Sequence, residues 1–277
     1  MSLYITSLNS GSNGNCYYIG NENEAVLVDA GLSCRETEAR MRRLDLSMKR
    51  VKAIFVSHEH TDHVRGLAGI ASKYQLPVYV TNGTRPGCYH LKPEAAIHFE
   101  PAETISIGAL QVTSFPKFHD AADPHSFIVS CKDVTVGVFT DLGRPCAELI
   151  KHFKKCHAAF LEANYDEDML QNGRYPHFLK NRIRGGEGHL SNKQALEVFT
   201  EHRPAFMTHL LLAHLSADNN SPELVHRLFS ENAGRVQVTV ASRYNETPVF
   251  HITGSGVNTA IRKKVLSRPH AAQISMF

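Results

Sequence analysis

The sequence predicts an α/β protein built from two mixed sheets packed face to face, with helices on the outside. Two patterns carry this. Short runs rich in Val, Ile, Tyr and Phe fill the first 140 residues, with one or two helical stretches between them. From residue 146 helical patterns dominate, interrupted by two further strands and followed by a last strand pair. A third observation ties fold to chemistry: several apolar runs close on Asp or His, so rigid strand ends carry the reactive side chains.

Taken in order, LYITSL and CYYIG are short strands around the small, polar loop NSGSNGN. AVLVDAG is a buried strand ending in an acidic turn. CRETEARMRRLDL is helical, with Met41 and Leu44 on one side and arginines on the other. VKAIFVSH is another buried strand and runs straight into EHTDH. HVRGLAGIASKY follows as a helix, then the strand PVYVTN. AIHFE, TISIG, LQVTSF, HSFIVSC and VTVGVF are strand-like. AELIKHFKK, DEDMLQNG, SNKQALEVFTEH and PELVHRLFSE are helical, with the strands AAFLEA and AFMTHLLL among them. VQVTVA and TPVFHIT close the body. The expected division is residues 1–264 as one folded unit and residues 265–277 as a basic, flexible tail.

A chain of 277 residues is long enough for a packed core, and 42% hydrophobic with 21% charged residues is ordinary for a globular protein. The net charge of +3 neither requires nor excludes a nucleic-acid partner, because a local basic face matters more than the sum. The N-terminus MSLYITSLNSGSNG lacks a basic leader, and no run approaches the ~20 apolar residues that span a bilayer. Six scattered cysteines without a C-x-x-C pair suit reduced thiols. The expectation is a soluble cytoplasmic protein with no membrane partner. The 17 histidines are the exception to an ordinary composition, and imidazole is the commonest side-chain metal ligand, so their positions matter.

SHEHTDHVRG places His58, His60, Asp62 and His63 where a buried strand ends and a helix begins. Extended geometry puts His58 and His60 on one side. The turn then lets Asp62 and His63 face the same cavity. An open catalytic site takes about three protein ligands plus water, so four such groups point to two neighbouring ions. Further ligand types close other strands: Asp29 in AVLVDAG, His119 after LQVTSFPKF, Asp141 after VTVGVF, and His214 after AFMTHLLLA. His125 is a rival to His119 but lies in the next strand. His209 reads as a core histidine.

The HxHxDH pattern, followed in order by a His, an Asp and a His at strand ends, resembles the metallo-β-lactamase superfamily over nearly the whole chain. The resemblance implies a four-layer αββα sandwich with a dinuclear metal site at one edge. It implies that His58, His60 and His119 hold one ion, that Asp62, His63 and His214 hold the other, and that Asp141 bridges them. Asp29 would orient the histidine loop, as groups behind metal ligands commonly do. Imidazole and carboxylate accept several metals, with zinc the default and manganese, iron or nickel the alternatives.

Two ions with a carboxylate bridge suit hydrolysis, and the expected catalytic residues are Asp62, Asp141 and His189. His189, in GHLSN, resembles the histidine that protonates the leaving oxygen in phosphodiesterase and tRNA-processing members, a step that an alkoxide needs. Ser191 in the same motif is either a substrate contact or a helix cap. Lys180, Arg182 and Arg184, in the loop LKNRIRGGEG, are candidates for a backbone phosphate. Ser10, Ser12 and Asn15 of SGSNGN could present backbone N–H groups to one. The ordered set SGSNGNCYYI, LVDAG, FVSHEHTDHVRG, FPKFHDAADP, LEANYD, GHLSN and HLSADNN is similar to the WalJ/YycJ-type branch, whose members are described as 5′→3′ exonucleases acting on DNA. The alternative is a small-molecule hydrolase of the same fold, cleaving a thioester, lactone or cyclic phosphodiester. The terminal QISMF resembles the bacterial sliding-clamp binding pentapeptide. Gln273 would sit at the rim of the clamp pocket, and Met276 and Phe277 would fill it.

Overall fold

The computed structural model describes residues 2–254 and the short strand at 259–260. The clamp-type residues Gln273, Met276 and Phe277 lie outside them. The chain begins with β1 (Ser2–Asn9), β2 (Cys16–Gly20) and β3 (Ala25–Val28), then α1 (Cys34–Arg43), β4 (Val51–Phe55), α2 (Thr61–Val64) and α3 (Leu67–Tyr74). β5 (Val78–Val80), β6 (Ala96–His98), β7 (Thr104–Ile107), β8 (Leu110–Pro116), β9 (His125–Cys131) and β10 (Val134–Phe139) follow. The last part alternates: α4 (Ala147–Phe153), β11 (Ala158–Glu162), α5 (Glu167–Asn172), α6 (His177–Arg184), α7 (Asn192–His202), β12 (His209–Ala213), α8 (Pro222–Ser230), β13 (Gln237–Val240), β14 (Phe250–Thr253) and β15 (Thr259–Ala260).

These strands form two sheets, ordered β15-β14-β1-β2-β3-β4-β5-β6 and β13-β12-β11-β10-β9-β8-β7. Strand alternation splits the apolar residues between the two faces of each sheet. Tyr17 and Ile19 of β2 and Ala53 and Phe55 of β4 meet Phe127, Val129, Phe160 and Leu211 in the core between the sheets. The intervening Cys16, Tyr18 and Ile54 pack outward with Met41, Leu67 and Ile70 of α1 and α3. On the other sheet Ala159, Leu161 and Leu212 pack outward under Leu149, Phe199 and Phe229 of α4, α7 and α8. Both faces of these strands are covered, which is why AVLV and the LLLA of β12 are apolar throughout. The layers are αββα.

Three local expectations are corrected. The segment from His63 to Tyr74 is two helices, α2 and α3, separated at Arg65 and Gly66. A Cβ on Gly66 would overlap Leu32 O, so this break is where the histidine loop packs against the acidic turn. α1 does not turn all its arginines outward. Arg40 is buried, and its guanidinium donates to Leu8 O (2.8 Å), Asn9 Oδ1 (2.9 Å) and Tyr244 O (2.9 Å). The segment read as a loop around Arg182 is the helix α6, amphipathic at HFLKNRIR.

Candidate active site

Parallel pairing gathers the site. β3 pairs parallel with β4, and β10, β11 and β12 pair parallel with one another. In each sheet the C-terminal ends of these strands lie together, where α/β sheets present ligand-binding groups, and contacts such as His63 to Asp141 and Ser10 to His214 join the two edges. Asp29 follows β3, Ser57 and His58 follow β4, Asp141 follows β10, Glu162 ends β11 and His214 follows β12. Three of these leave the strand in the left-handed region: Asp29 (φ 62°), Asp141 (φ 54°) and His214 (φ 56°). Such backbone is costly for a residue with a Cβ and concentrates at functional sites.

The ring and carboxylate atoms converge into overlapping groups. His58, His60 and His119 each offer a ligand atom within 4.8 Å of the others, and so do Asp62, His63 and His214. Asp141 lies between them. Its oxygens are 3.2 Å from His63 Nε2, 3.3 Å from His214 Nε2 and 3.9 Å from His119 Nε2. Asp141, Glu162, His189 and His214 form a further group of the same compactness. His125 is buried at the start of β9 and belongs to none of these groups. His209 begins β12, bonds Thr208 Oγ1 (2.9 Å) and packs against Phe250.

The surrounding bonds fix which nitrogens point inward. Asp29 is fully buried and accepts from His63 Nδ1 (2.7 Å), Ser57 N (2.8 Å) and Ser57 Oγ (2.9 Å). With its proton given to Asp29, the Ser57 hydroxyl accepts from His58 Nδ1 at 2.9 Å. His119 Nδ1 donates to Gly188 O at 2.9 Å. The Nε2 lone pairs of His58, His63 and His119 are thus left facing the cavity. Among the described residues, His58 Nε2 and Asp141 Oδ2 are buried without a hydrogen-bond partner. His60 Nδ1 and His119 Nε2 face each other at 3.3 Å. Buried acceptors left bare in this way are costly, and divalent cations satisfy them, so these residues fit divalent metal ions.

Burial and charge act in opposition here. Burial, assisted by the neighbouring His63 and Lys117, holds His58 well below the usual imidazole range. Burial lowers His119 to about 3. Burial also opposes the charge on His63, but the carboxylates of Asp141, Asp29 and Asp62 outweigh it and raise that imidazole. Asp141 and Asp62 are held well below the carboxylate range: His214 and His63 beside Asp141, and His63 and His214 beside Asp62, overcome the cost of burial.

Several residues expected to meet substrate instead support the cluster. Asn15 Nδ2 lies 3.0 Å from Asp62 Oδ2 and 3.0 Å from His63 Nε2. Ser10 Oγ accepts from His214 N (2.8 Å) and is shared with Tyr17 OH. Ser12 is exposed at the loop tip. Ser191 is fully buried as the N-cap of α7 in a capping box with Gln194, so its hydroxyl is engaged. On α6, Lys180 is buried and donates to Gln171 O (2.8 Å), Arg182 pairs with Asp120 (2.5 Å), and Arg184 bonds Gln171 and Asn181. None of the three is an uncommitted cation, because a helix face spaced against α5 and the loop after β8 supplies each with partners.

One functional residue escaped the sequence reading. Glu162 is fully buried, accepts from His189 Nδ1 at 2.7 Å and Leu142 N at 2.6 Å, and comes within 3.6 Å of His214 Nδ1. It fixes the His189 ring, which stacks on His214 (centroids 5.2 Å apart, planes 17°) and lies 3.8 Å from Asp141. The available signal was the same as for Asp29 and Asp141: a carboxylate closing the apolar strand AAFLE.

Comparison with known proteins agrees with this geometry. Residues 24–215 match the family described as the beta-lactamase superfamily domain. The chain is 36% identical over 235 residues to the exodeoxyribonuclease YycJ of Bacillus anthracis, covering 83% of this chain and 89% of that protein. It is 30% identical over 225 residues to the exodeoxyribonuclease WalJ of Streptococcus pneumoniae, covering 79% and 84%. The metallo-beta-lactamase fold protein YhfI of Bacillus subtilis superimposes with a TM-score of 0.71 at 16% identity, over 91% of this chain and all of that one.

Proposed function

Because the chain belongs to the metallo-β-lactamase superfamily and, within it, to the family of the YycJ and WalJ exodeoxyribonucleases, we propose that it is a metal-dependent exodeoxyribonuclease working 5′→3′. The observation that carries this reading is the His189–Glu162 pair beside the His/Asp cluster. Departure of a sugar alkoxide from a phosphodiester requires a proton, and a positioned imidazole supplies one.

In this proposal His58, His60 and His119 would hold one divalent ion and Asp62, His63 and His214 a second, with Asp141 lying between the two groups. Zinc is the expected metal, with manganese, iron and nickel compatible with the same donors. Ions there supply Lewis-acid charge for the phosphoryl oxygens and make attack by water feasible at neutral pH. The protein orients the ligands: Asp29 and Ser57 fix the His58 and His63 rings, Gly188 O fixes His119, and Asn15 steadies Asp62. Glu162 positions His189 through the bond at Nδ1, and His189 delivers the proton to the leaving oxygen. Among the candidate phosphate contacts, the exposed Ser12 is retained.

The tail enters the same proposal. Residues 265–277 serve as a tether, and Gln273, Met276 and Phe277 bind the bacterial sliding clamp, which would hold the enzyme near its DNA in the cytoplasm. The support is the QISMF sequence itself. Titration of a labelled RPHAAQISMF peptide against purified clamp tests it, and the absence of saturable binding below ~100 μM, about −5.5 kcal/mol, removes the clamp.

The nuclease reading is tested with 5′- and 3′-labelled DNA duplexes and protein loaded with zinc or manganese, beside Asp141→Ala. Metal-dependent release of mononucleotides from the 5′ end by wild type alone supports it. No release with either metal, from protein carrying its ions, refutes it. His189→Ala is expected to keep its metal and lose turnover. Loss of an ion would instead make His189 a ligand in the group with Asp141, Glu162 and His214.

A further inference from the structure

Beside the site, on the His189 side, two residues from different strand ends meet. Phe118 directly precedes His119, and Arg144 lies three residues after Asp141. The Arg144 guanidinium carbon sits 3.8 Å above the Phe118 ring centroid. Gly143 N donates to Phe118 O at 2.7 Å, so the backbone holds the two segments in register. A Cβ on Gly143 would overlap the backbone at Gly186 and Glu187, which packs this pair against the loop leading to His189. Phe118 is 40% exposed, and Arg144 is exposed.

Arg144 differs from Arg182 in having no anionic partner. Arg182 is neutralised by Asp120, and Arg184 is bonded to Gln171 and Asn181. Among the described residues no carboxylate lies within ion-pair distance of Arg144. An aromatic face orients a guanidinium and leaves its outer face and its N–H edge to solvent. The outer face of such a plane stacks on a nucleobase, and the edge reaches a phosphate oxygen.

We infer that Phe118 and Arg144 form a nucleotide subsite that grips the DNA strand on the leaving-group side of the cut. This rests on the nuclease reading above. Phe118 acts through Arg144, holding the guanidinium flat, and Arg144 makes the contact.

The test is binding of a fluorescein-labelled single-stranded phosphorothioate oligonucleotide, which resists cleavage, to metal-loaded protein across a salt series. Steady-state cleavage of the normal oligonucleotide is measured in parallel. Arg144→Ala is expected to weaken binding about tenfold, in line with the loss of one stacked base. It should also make the plot of log affinity against log salt shallower by ~0.7, the contribution of one phosphate contact on a single strand. Its KM should rise by more than its kcat falls. Arg144→Lys should keep the salt slope and lose affinity, because the charge remains and the plane does not. Phe118→Leu should weaken binding with the slope unchanged. Wild-type affinity and slope in Arg144→Ala, with wild-type protein cleaving DNA, overturn the subsite alone. Intact binding effects without any cleavage by wild type overturn the nuclease reading alone. An oligonucleotide that does not bind wild type overturns both.

Discussion

Replacing Glu162 with Gln tests the proton-handling arrangement at its least accessible point. The carboxylate is fully buried; one oxygen takes His189 Nδ1, and the other takes Leu142 N at 2.6 Å and Leu190 N at 3.3 Å. A glutamine has one oxygen and one NH₂ for these places. Turning the NH₂ toward the two backbone donors would strand them, at about 1–3 kcal/mol for each buried group. The amide oxygen therefore stays with the backbone, and the NH₂ meets His189 Nδ1. That nitrogen must then accept, so the ring loses the acceptor that fixed its Nδ1–H and its orientation. General acid catalysis is worth about 10²–10⁴-fold. Since the ring and one N–H remain, the expected fall in kcat on DNA is about 10²–10³-fold, or ~3–4 kcal/mol. The assay pairs an oligonucleotide with the p-nitrophenyl ester of thymidine 5′-phosphate, whose phenolate leaves without a proton. The ester should lose less than ~10-fold. Equal losses on both substrates would mean that Glu162 only maintains structure, and an unimpaired DNA rate would remove it from the reaction.

Asp29→Asn should weaken metal binding about 10–100-fold, read by competition with a chromophoric chelator, because His63 and Ser57 lose their charged acceptor; unchanged affinity would contradict the orienting role. Gly31→Ala should destabilise the fold by about 1–3 kcal/mol in denaturant titration, since its Cβ would overlap Asp62 O; a neutral result would mean that the histidine loop can shift freely. His209 supplies the pH test. Burial lowers it from 6.5 to about 4. Its folded pKa lies below the unfolded one, so its stabilising contribution is complete above pH ~6.5 and is lost as pH falls from there to ~4. At ~1.4 kcal/mol per pH unit this amounts to about 3 kcal/mol, visible as the difference between wild type and His209→Asn in urea unfolding at pH 7 and pH 4. Parallel stability curves for the two proteins would refute it.

The sequence by itself determined the layers and the chemistry of the strand ends. Alternation in CYYIG and VKAIF sends successive side chains to opposite covered faces, and that periodicity is local. HEHTDH, Asp141 and His214 were legible because ligand-type residues that close apolar runs are out of place unless they serve a site. Only the tertiary structure decided what surrounds them. Lys180 and Arg182 looked available until α6 folded against Gln171 and Asp120. Ser10 and Asn15 looked like a phosphate loop, yet their backbone N–H groups are taken by Ser242 O and Asp62 O, and their side chains bond residues 204 and 47 positions away. Glu162 meets His189 across 27 residues, and Arg144 finds Phe118 because β8 and β10 run the same way on either side of β9, so their ends lie at one edge of the sheet. Such partnerships depend on sheet order and register. Those follow from the packing energy of the whole chain, which no short stretch of it encodes.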